Sequence, residues 1–484
     1  MSEFRTQLEA ALGKAVTFDG QITRAYDHDL GEMPRPLLAQ IRARPDAVAA
    51  PRSPAQVAEA LRIAGAFRVP VTPRGQGSSG YGGALPTRGG LLLDLCGLDQ
   101  VLAVDAARAT VDVQPGVVWN DLARRLRTEG LDLRICPTSG PSSTVGGWLA
   151  MGGIGLGSLR YGSIRDVVLE VDVAGLDGRI ETVTGPELEL FHQTCGTLGV
   201  VTRLRLACRR AAVERSFAVH LPDAAGPERL LAALRPRAPY SLSFVSAGYL
   251  AMRAAAEGHS PPIDRGFLAI ATYLGEEADD AWLAQAAAAC GGTALPGEVA
   301  EREWAERFYP MRVKKLGPAL LAAEFVIPVE RFAEAWSRTE AALSHDRIGC
   351  EVFAARDDRL AVLTYLPDPG QDLLAPVRMA KAMIPIRIAL RLGGSIYSPG
   401  LWFASGTRRL FGAEKHQAVA ERKRRVDPHG LLNPGKLRAP RPRWFPVADL
   451  ASLIALGSAV GAPLARLLPS RRRAVAPAGQ GGHR

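Results

Sequence analysis

Two stretches of the chain concentrate glycine and hydroxyl residues in a way that could hold an anion. The first is Pro73-Arg-Gly-Gln-Gly-Ser-Ser-Gly-Tyr-Gly-Gly83. The second is Pro137-Thr-Ser-Gly-Pro-Ser-Ser-Thr-Val-Gly-Gly147, continuing through Met151-Gly152-Gly153-Ile-Gly155-Leu-Gly157. A loop of Gly and Ser exposes backbone N–H groups in a concave array, and glycines let those donors approach an anion closely. Arg74 adds positive charge, and Ser78 and Ser79 add hydroxyl donors. Two such loops joined by strands suit a diphosphate with a large group at each end. Either loop alone would also serve as a tight turn in a sheet.

Two familiar phosphate motifs are present in letter only. Gly75-Gln-Gly77-Ser-Ser-Gly80 fits G-x-G-x-x-G, with Asp94 near the distance expected of a ribose-binding acid. That fingerprint needs a helix starting within the glycines. Here Tyr81-Gly-Gly-Ala-Leu-Pro86 and Gly89-Gly90 follow, which cannot support one. Gly430-Leu-Leu-Asn-Pro-Gly435-Lys436 fits the spacing G-x-x-x-x-G-K. Leu437 stands where Ser or Thr would hold magnesium, and Pro434 removes an amide donor.

The elements around these loops follow from periodicity. Residues 54–68 show apolar positions at helical spacing behind Ser53 as N-cap, and Val69–Thr72 reads as a strand. Leu91–Leu95, Val101–Val104 and Thr110–Gln114 read as strands, and Val117–Thr128 as an amphipathic helix. Val167–Ala174 and Ile180–Val183 flank an Asp-Gly hairpin signal. Beyond residue 215 the glycine loops thin out, and helices such as Asp279–Ala289 and Val329–Leu343 alternate with short strands such as Phe325–Pro328. A second domain is expected there.

Composition narrows the function classes. The chain has 484 residues, 47% hydrophobic and 22% charged, which suits two or three globular domains. Six scattered cysteines show no metal or disulfide spacing, so a reducing cytoplasmic setting is expected. Residues 1–20 do not resemble a secretory signal. The net charge of +10 is spread along the chain without interleaved aromatics, which argues against nucleic-acid binding. His345 and His416 fall in polar, helix-like surroundings, and no metal site is expected.

Taken in order, the motifs are similar to those of the vanillyl-alcohol oxidase / p-cresol methylhydroxylase superfamily. The chain resembles most its glycolate oxidase FAD subunit and D-lactate dehydrogenase branch. The resemblance rests on Pro73–Gly83, Thr144-Val-Gly-Gly-Trp-Leu-Ala-Met-Gly-Gly153, Ser158-Leu-Arg-Tyr-Gly-Ser-Ile-Arg-Asp166, Glu189–Thr202 and Leu432-Asn-Pro-Gly-Lys436. It implies an α+β protein with a two-subdomain FAD-binding domain over 1–210. A substrate (cap) domain with an antiparallel sheet would follow over 211–420, then an FAD-contacting segment over 421–440 and a basic, apolar tail over 441–484. It implies that Arg74, Gly75, Gln76, Gly77, Ser78, Ser79, Thr144, Gly146 and Gly147 bind the FAD pyrophosphate. Gly152, Gly153 and Gly155 would let the chain pass close to the flavin. Val200 and Val201 would meet the adenine end, and Asn433 and Lys436 the isoalloxazine and phosphate region. Ser78 stands where some relatives carry a flavin-tethering His, so non-covalent FAD is expected.

The reaction implied is oxidation of a 2-hydroxy acid or related alcohol, hydride passing to flavin N5. The substrate-side candidates are Arg312 and Lys314 in the basic run 307–315, and Tyr397 in Gly393–Trp402. A second reading keeps the fold and reverses the chemistry. Cys195-Gly-Thr-Leu-Gly199 also resembles FAD-dependent sterol side-chain reductases, which an apolar pocket would favour and carboxylate-anchoring Arg residues would disfavour. A third is an FAD electron-relay subunit without its own substrate. An iron–sulfur protein or a quinone is the expected electron acceptor. The apolar stretch 447–468, flanked by Arg clusters, suits peripheral contact with the inner face of a membrane, packing against a partner subunit, or packing back onto the protein.

Overall fold

The computed structural model describes residues 2–31, 38–308, 310–368 and 378–438. The 447–468 stretch therefore lies outside the described residues. Three sheets organise the protein.

The first sheet contains β1 (Val16–Thr17), β2 (Ala47–Ala49), β3 (Val71–Arg74) and β4 (Leu91–Asp94) in the order β1-β2-β4-β3. β2 and β3 flank β4 in parallel, and β1 runs antiparallel to β2. Leu91, Leu92 and Leu93 are all fully buried, as a strand covered on both faces requires. Helix Pro54–Ala66 joins β2 to β3, with Ser53 Oγ accepting from Gln56 N and Pro54 in its first turn. Its Val57, Leu61 and Ala64 pack with Phe4 and Leu8 of helix Ser2–Leu12. The strand expected at Val69–Thr72 sits two residues later, because Arg68 (φ +54°) turns the backbone before it.

The second sheet gathers β5 (Val101–Asp105), β6 (Thr110–Val113), β7 (Leu131–Leu133), β8 (Val168–Ala174), β9 (Ile180–Thr184) and β10 (Val200–Arg210). Its order is β5-β6-β10-β8-β9, with β7 pairing the far end of β10. Along β10, Val200, Thr202, Leu204 and Leu206 face inward. Arg203 on the other face bridges Asp112, Glu170 and Asp172 of its neighbours. The period-two alternation and the cross-strand charges specify one register.

The third sheet is antiparallel and belongs to the cap domain. It holds β11 (Glu214–Leu221), β12 (Ser241–Ser246), β13 (Phe267–Leu274), β14 (Thr293–Ala294), β15 (Ala319–Pro328), β16 (Gly349–Ala355), β17 (Arg359–Asp368) and β18 (Ser395–Ile396). Their order is β14-β11-β13-β12-β16-β17-β15-β18. Helices Gly226–Leu234, Asp280–Ala289, Val329–Ala342 and Met383–Arg391 cover one face around Phe267, Phe325, Phe332 and Trp336. On the other face Phe353, Ala361 and Val326 join the core of the second sheet. Among the described residues no helix is long and apolar enough to cross a membrane, and no three His, Cys, Asp or Glu side chains could hold a metal ion.

Helix Thr407–Val426, kinked at Gly412, then returns to the first domain. At its basic end Arg424 and Arg425 are exposed, while Arg422 and Lys423 turn inward. Arg422 is buried against Glu181 and Glu187, and Lys423 Nζ donates to Asp427 Oδ2 at 2.5 Å, Thr197 O at 2.7 Å and Leu432 O at 2.8 Å. Asp427 in turn accepts from Leu431 N and Leu432 N, and Val71 N and O bond to Leu431 O and Asn433 N. Asp427→Ala would strand the half-buried Lys423 and release two backbone donors. It is expected to lower unfolding free energy by about 3 kcal/mol, measured by urea denaturation.

Candidate cofactor and substrate cavity

A large cavity of about 720 Å3 lies between the two domains. Its first-domain half is walled by residues 73–84, by parts of 137–152 and by 194–201. Its cap half is walled by β15, β17 and the segments around residues 311–314 and 379–403. Arg74, Gly75, Gln76, Gly77, Ser78 and Ser79 all line it. So do Thr144, Gly146, Gly147, Gly152, Val200 and Val201.

The two glycine loops play different parts. After β3 no helix begins. Residues 76–85 are turns, and Asp94 is spent on Tyr26 Oη at 2.8 Å and Cys96 N at 3.0 Å. Among the described residues the backbone N–H groups of Gln76, Gly77, Ser78, Ser79 and Gly80 have no protein acceptor. This run of open donors on the cavity wall is an anion cradle. Arg74 is held beside it, donating to His28 O at 2.6 Å and stacking on Tyr26. Where the second loop enters its helix the amides are occupied within the protein. Val145 N donates to Val117 O, Gly146 N to Pro115 O, and Gly147 N to Thr144 Oγ1. Among the described residues its open amides on the cavity wall are those of Thr138, Ser139 and Thr144, beside the Thr144 hydroxyl.

Several glycines are required by close packing. A Cβ on Gly75 would lie 2.4 Å from Thr144 Oγ1, so the two loops touch there. Gly153 and Gly155 do not line the cavity. Their Cβ atoms would meet Ile164 Cγ2 at 2.1 Å and Cys136 O at 2.5 Å, so these glycines admit neighbouring protein segments.

The C-terminal loop sits behind the wall. Asn433, itself at φ +38°, donates from Nδ2 to Gly83 O at 2.9 Å and Cys195 O at 2.6 Å. Lys436 is fully buried and donates from Nζ to Leu85 O at 2.6 Å. Burial pulls its pKa down to about 8 and pushes that of nearby Asp29 up to about 6. Neither Asn433 nor Lys436 lines the cavity. They brace the loops that do.

On the cap side the basic run divides. Arg312 turns away from the large cavity and pairs with Glu257 at 2.7 Å and Glu306 at 3.2 Å, beside the buried pair of Arg253 and Glu303. Charge satisfaction by these acids, which sequence spacing does not reveal, removes it from the substrate side. Lys314 does line the cavity, but it is exposed on the turn Pro310–Leu316 at the outer end of β15. Tyr397 lines the seam between the halves. Its hydroxyl donates to Ile154 O at 3.1 Å and accepts from Ile154 N at 3.0 Å, with its ring against Gly152. It is a pin between domains, and burial keeps its phenol protonated.

One residue emerges that sequence reasoning passed over. Glu324 lies on β15, in the cavity-facing row Leu320, Ala322, Glu324, and its carboxylate is stabilised by the nearby Tyr81 hydroxyl. Burial pushes its carboxyl up to about 7, and the Tyr81 hydroxyl pulls it partly back. The other carboxylates of the wall are committed: Asp29 accepts from Gly31 N and Gly82 N, and Asp368 pairs with Arg378 at 2.7 Å. The signal available was a lone acid inside an apolar strand run, Ala319–Pro328.

Comparison with known proteins agrees with this geometry. Residues 45–184 match the FAD binding domain family and residues 210–437 the family of FAD linked oxidases, C-terminal domain. The glycolate oxidase subunit GlcD of Bacillus subtilis is 28% identical over 435 residues, covering 85% of this chain and 92% of that protein. The mitochondrial D-lactate dehydrogenase [cytochrome] of Arabidopsis thaliana is 24% identical over 425 residues, covering 82% and 74%. The structure of p-cresol methylhydroxylase with substrate bound aligns with a TM-score of 0.72 at 16% identity, over 90% of this chain and 96% of that one.

The cavity fits FAD on its own chemistry. The open amides at Gln76–Gly80 suit a diphosphate, and the long cavity reaches from there to the seam at Glu324. No histidine is among the described lining residues, and the Cys195 thiol, pushed up to about 11 by burial, is a poor nucleophile. Acid precipitation is therefore expected to release all the flavin into the supernatant. Gly75→Val, which drives a side chain into Thr144, is expected to cost about 1–3 kcal/mol of local packing. That corresponds to roughly a tenfold to hundredfold weaker hold on flavin, read from absorbance of the purified protein. The chain joins an FAD binding domain to a C-terminal domain of the FAD linked oxidases in the fold of p-cresol methylhydroxylase, and it is an FAD-dependent oxidoreductase.

Proposed function

We propose that the protein oxidises a 2-hydroxy acid or a related alcohol, with Glu324 taking the hydroxyl proton. The observation that carries this reading is the position of Glu324. It is a carboxylate with its pKa raised to about 7, facing the cavity where the cap strand meets the cofactor loops. The glycolate oxidase and D-lactate dehydrogenase relatives support the substrate class. Bound FAD supplies a two-electron acceptor that takes the hydride from the substrate carbon. Glu324 then accounts for the proton, so that an alcohol becomes a carbonyl. A group with its pKa near the working pH is suited to that transfer.

The groups facing Glu324 keep their own protons. Tyr81, Tyr397 and Tyr365 all have phenols pushed upward by burial, so Glu324 is the group among them that changes charge near neutrality. Lys314, exposed at the outer end of the wall, acts by attracting an anionic substrate toward the opening. We propose an iron–sulfur protein or a quinone as the reoxidant.

The apolar lining of the cap half, with no Arg of that domain among its described residues, favours a second reading, reduction of a carbon–carbon double bond. Flavin reduction by a nicotinamide cofactor, with no bleaching by any hydroxy acid, would select it.

Four outcomes test the first reading. Glu324→Gln should keep its flavin and lose about 10²–10⁴-fold in kcat. Because the carboxylate is the active form, kcat/KM of the wild type should rise with pH through about 7 and level off above it. Tyr81→Phe removes the hydroxyl that lowers the Glu324 pKa, so that rise should move to higher pH. Lys314→Met should lower kcat/KM and flatten its dependence on ionic strength, with kcat nearly unchanged.

A further inference from the structure

The wall that carries Glu324 also describes the rest of the substrate. β15 is paired along its whole length with β17, Ala319 opposite Asp368 through Pro328 opposite Arg359. On its other side β18 covers only Phe325 and Val326. The stretch Ala319–Glu324 is thus a sheet edge, and this edge borders the cavity. At about 3.3 Å per residue, Leu320 lies roughly 13 Å along the strand from Glu324. Between them Ala322 presents only a methyl group, which leaves the wall recessed.

The surroundings of this edge are apolar. Met311 packs with Leu320 on the Glu324 face of the strand, and Met379, Met383 and Ile386 border the open edge from the helix-covered face, where Leu321, Ala323 and Phe325 lie. Leu363, paired with Glu324 across to β17, lies beside it on the same face and also lines the cavity. Flexible thioethers of this kind adapt to an inserted apolar group. A two- or three-carbon hydroxy acid would place its reacting carbon at Glu324 and leave this trough filled with water against apolar side chains. Such an arrangement rejects a small polar substrate and rewards one that displaces the water.

We propose that the substrate is a 2-hydroxy acid whose side chain is an extended apolar group, lodged along the Leu320–Glu324 edge with its carboxylate and hydroxyl at the inner end. This rests on the 2-hydroxy-acid reading above and names its substrate class. The hydroxyl proton goes to Glu324 and the C–H hydride to FAD, yielding the 2-oxo acid.

The test uses the holoenzyme with a reducible dye as electron acceptor and unbranched 2-hydroxy acids of increasing length, from glycolate through the D enantiomers up to hydroxydecanoate. Each methylene that enters the trough should raise kcat/KM roughly threefold to fourfold, consistent with about 0.8 kcal/mol per buried methylene. The same length dependence should appear without turnover, as tighter binding of unreactive unbranched carboxylates followed through the flavin spectrum. Ala322→Phe, which fills the recess, should flatten both series. If kcat/KM is flat or falls beyond lactate, and carboxylate binding does not tighten with length, the extended-substrate proposal is overturned while the 2-hydroxy-acid reading stands. If no hydroxy acid bleaches the flavin, that reading fails and this proposal with it, even where long carboxylates bind.

Discussion

The cavity depends on one buried amide. Asn433 reaches 350 residues back in sequence to Gly83 O and 238 back to Cys195 O, drawing the first glycine loop and the 194–199 turn onto the same C-terminal segment. Neither loop has a hydrophobic core of its own, and the open amides at Gln76–Gly80 cannot hold their loop in place. The bonds come instead from behind. Asn433 N holds Val71 O, Lys436 holds Leu85 O, and Lys423 holds Thr197 O. Buried polar groups in such a network are effective only when each has a partner, which is why removing one member propagates.

The same burial that makes the brace strong sets the charges around it. Lys436 and Asp29 are both displaced toward their neutral forms by desolvation, which outweighs the opposite charge each offers the other. Glu324 follows the same rule at the seam, with only a tyrosine hydroxyl to favour its ionised form. Where full charge is retained, partners are plentiful. Arg312 meets Glu257 and Glu306, Arg253 meets Glu303, and Arg209 meets Asp132 and Glu214. The cap domain thus holds ion pairs for structure together with two acids that burial raises to about 7, Glu351, bonded to Tyr365, and Glu324, which faces the cavity.

The division of labour between loops follows from how each is anchored. The first loop leaves β3 without entering a helix, so its amides stay open. The second runs directly into helix Val145–Met151, and the amides of its first turn are consumed by Thr144, Pro115 and Val117. Similar composition therefore leaves a continuous run of open donors in the first loop, whereas the second loop's amides are taken up where it enters the helix.

The sequence alone was enough to read the two glycine loops, the helix capped by Ser53, the alternating strands and the FAD-binding class. Those features arise from local chemistry: backbone freedom at glycine, capping oxygens and hydrophobic period. It was also enough to reject the two phosphate motifs, since Pro86 and Leu437 are local facts. It did not reveal which glycines face the cavity, because Gly153 and Gly155 are required by Ile164 and Cys136, contacts set by folding. Arg312 looked like an anchor and Glu324 went unnoticed for one reason. Whether a charge is paired or poised depends on how segments pack: the turn Pro310–Leu316 against helix Ala247–Glu257 brings Arg312 to Glu257, and β15 sets Glu324 on the cavity wall beside Tyr81.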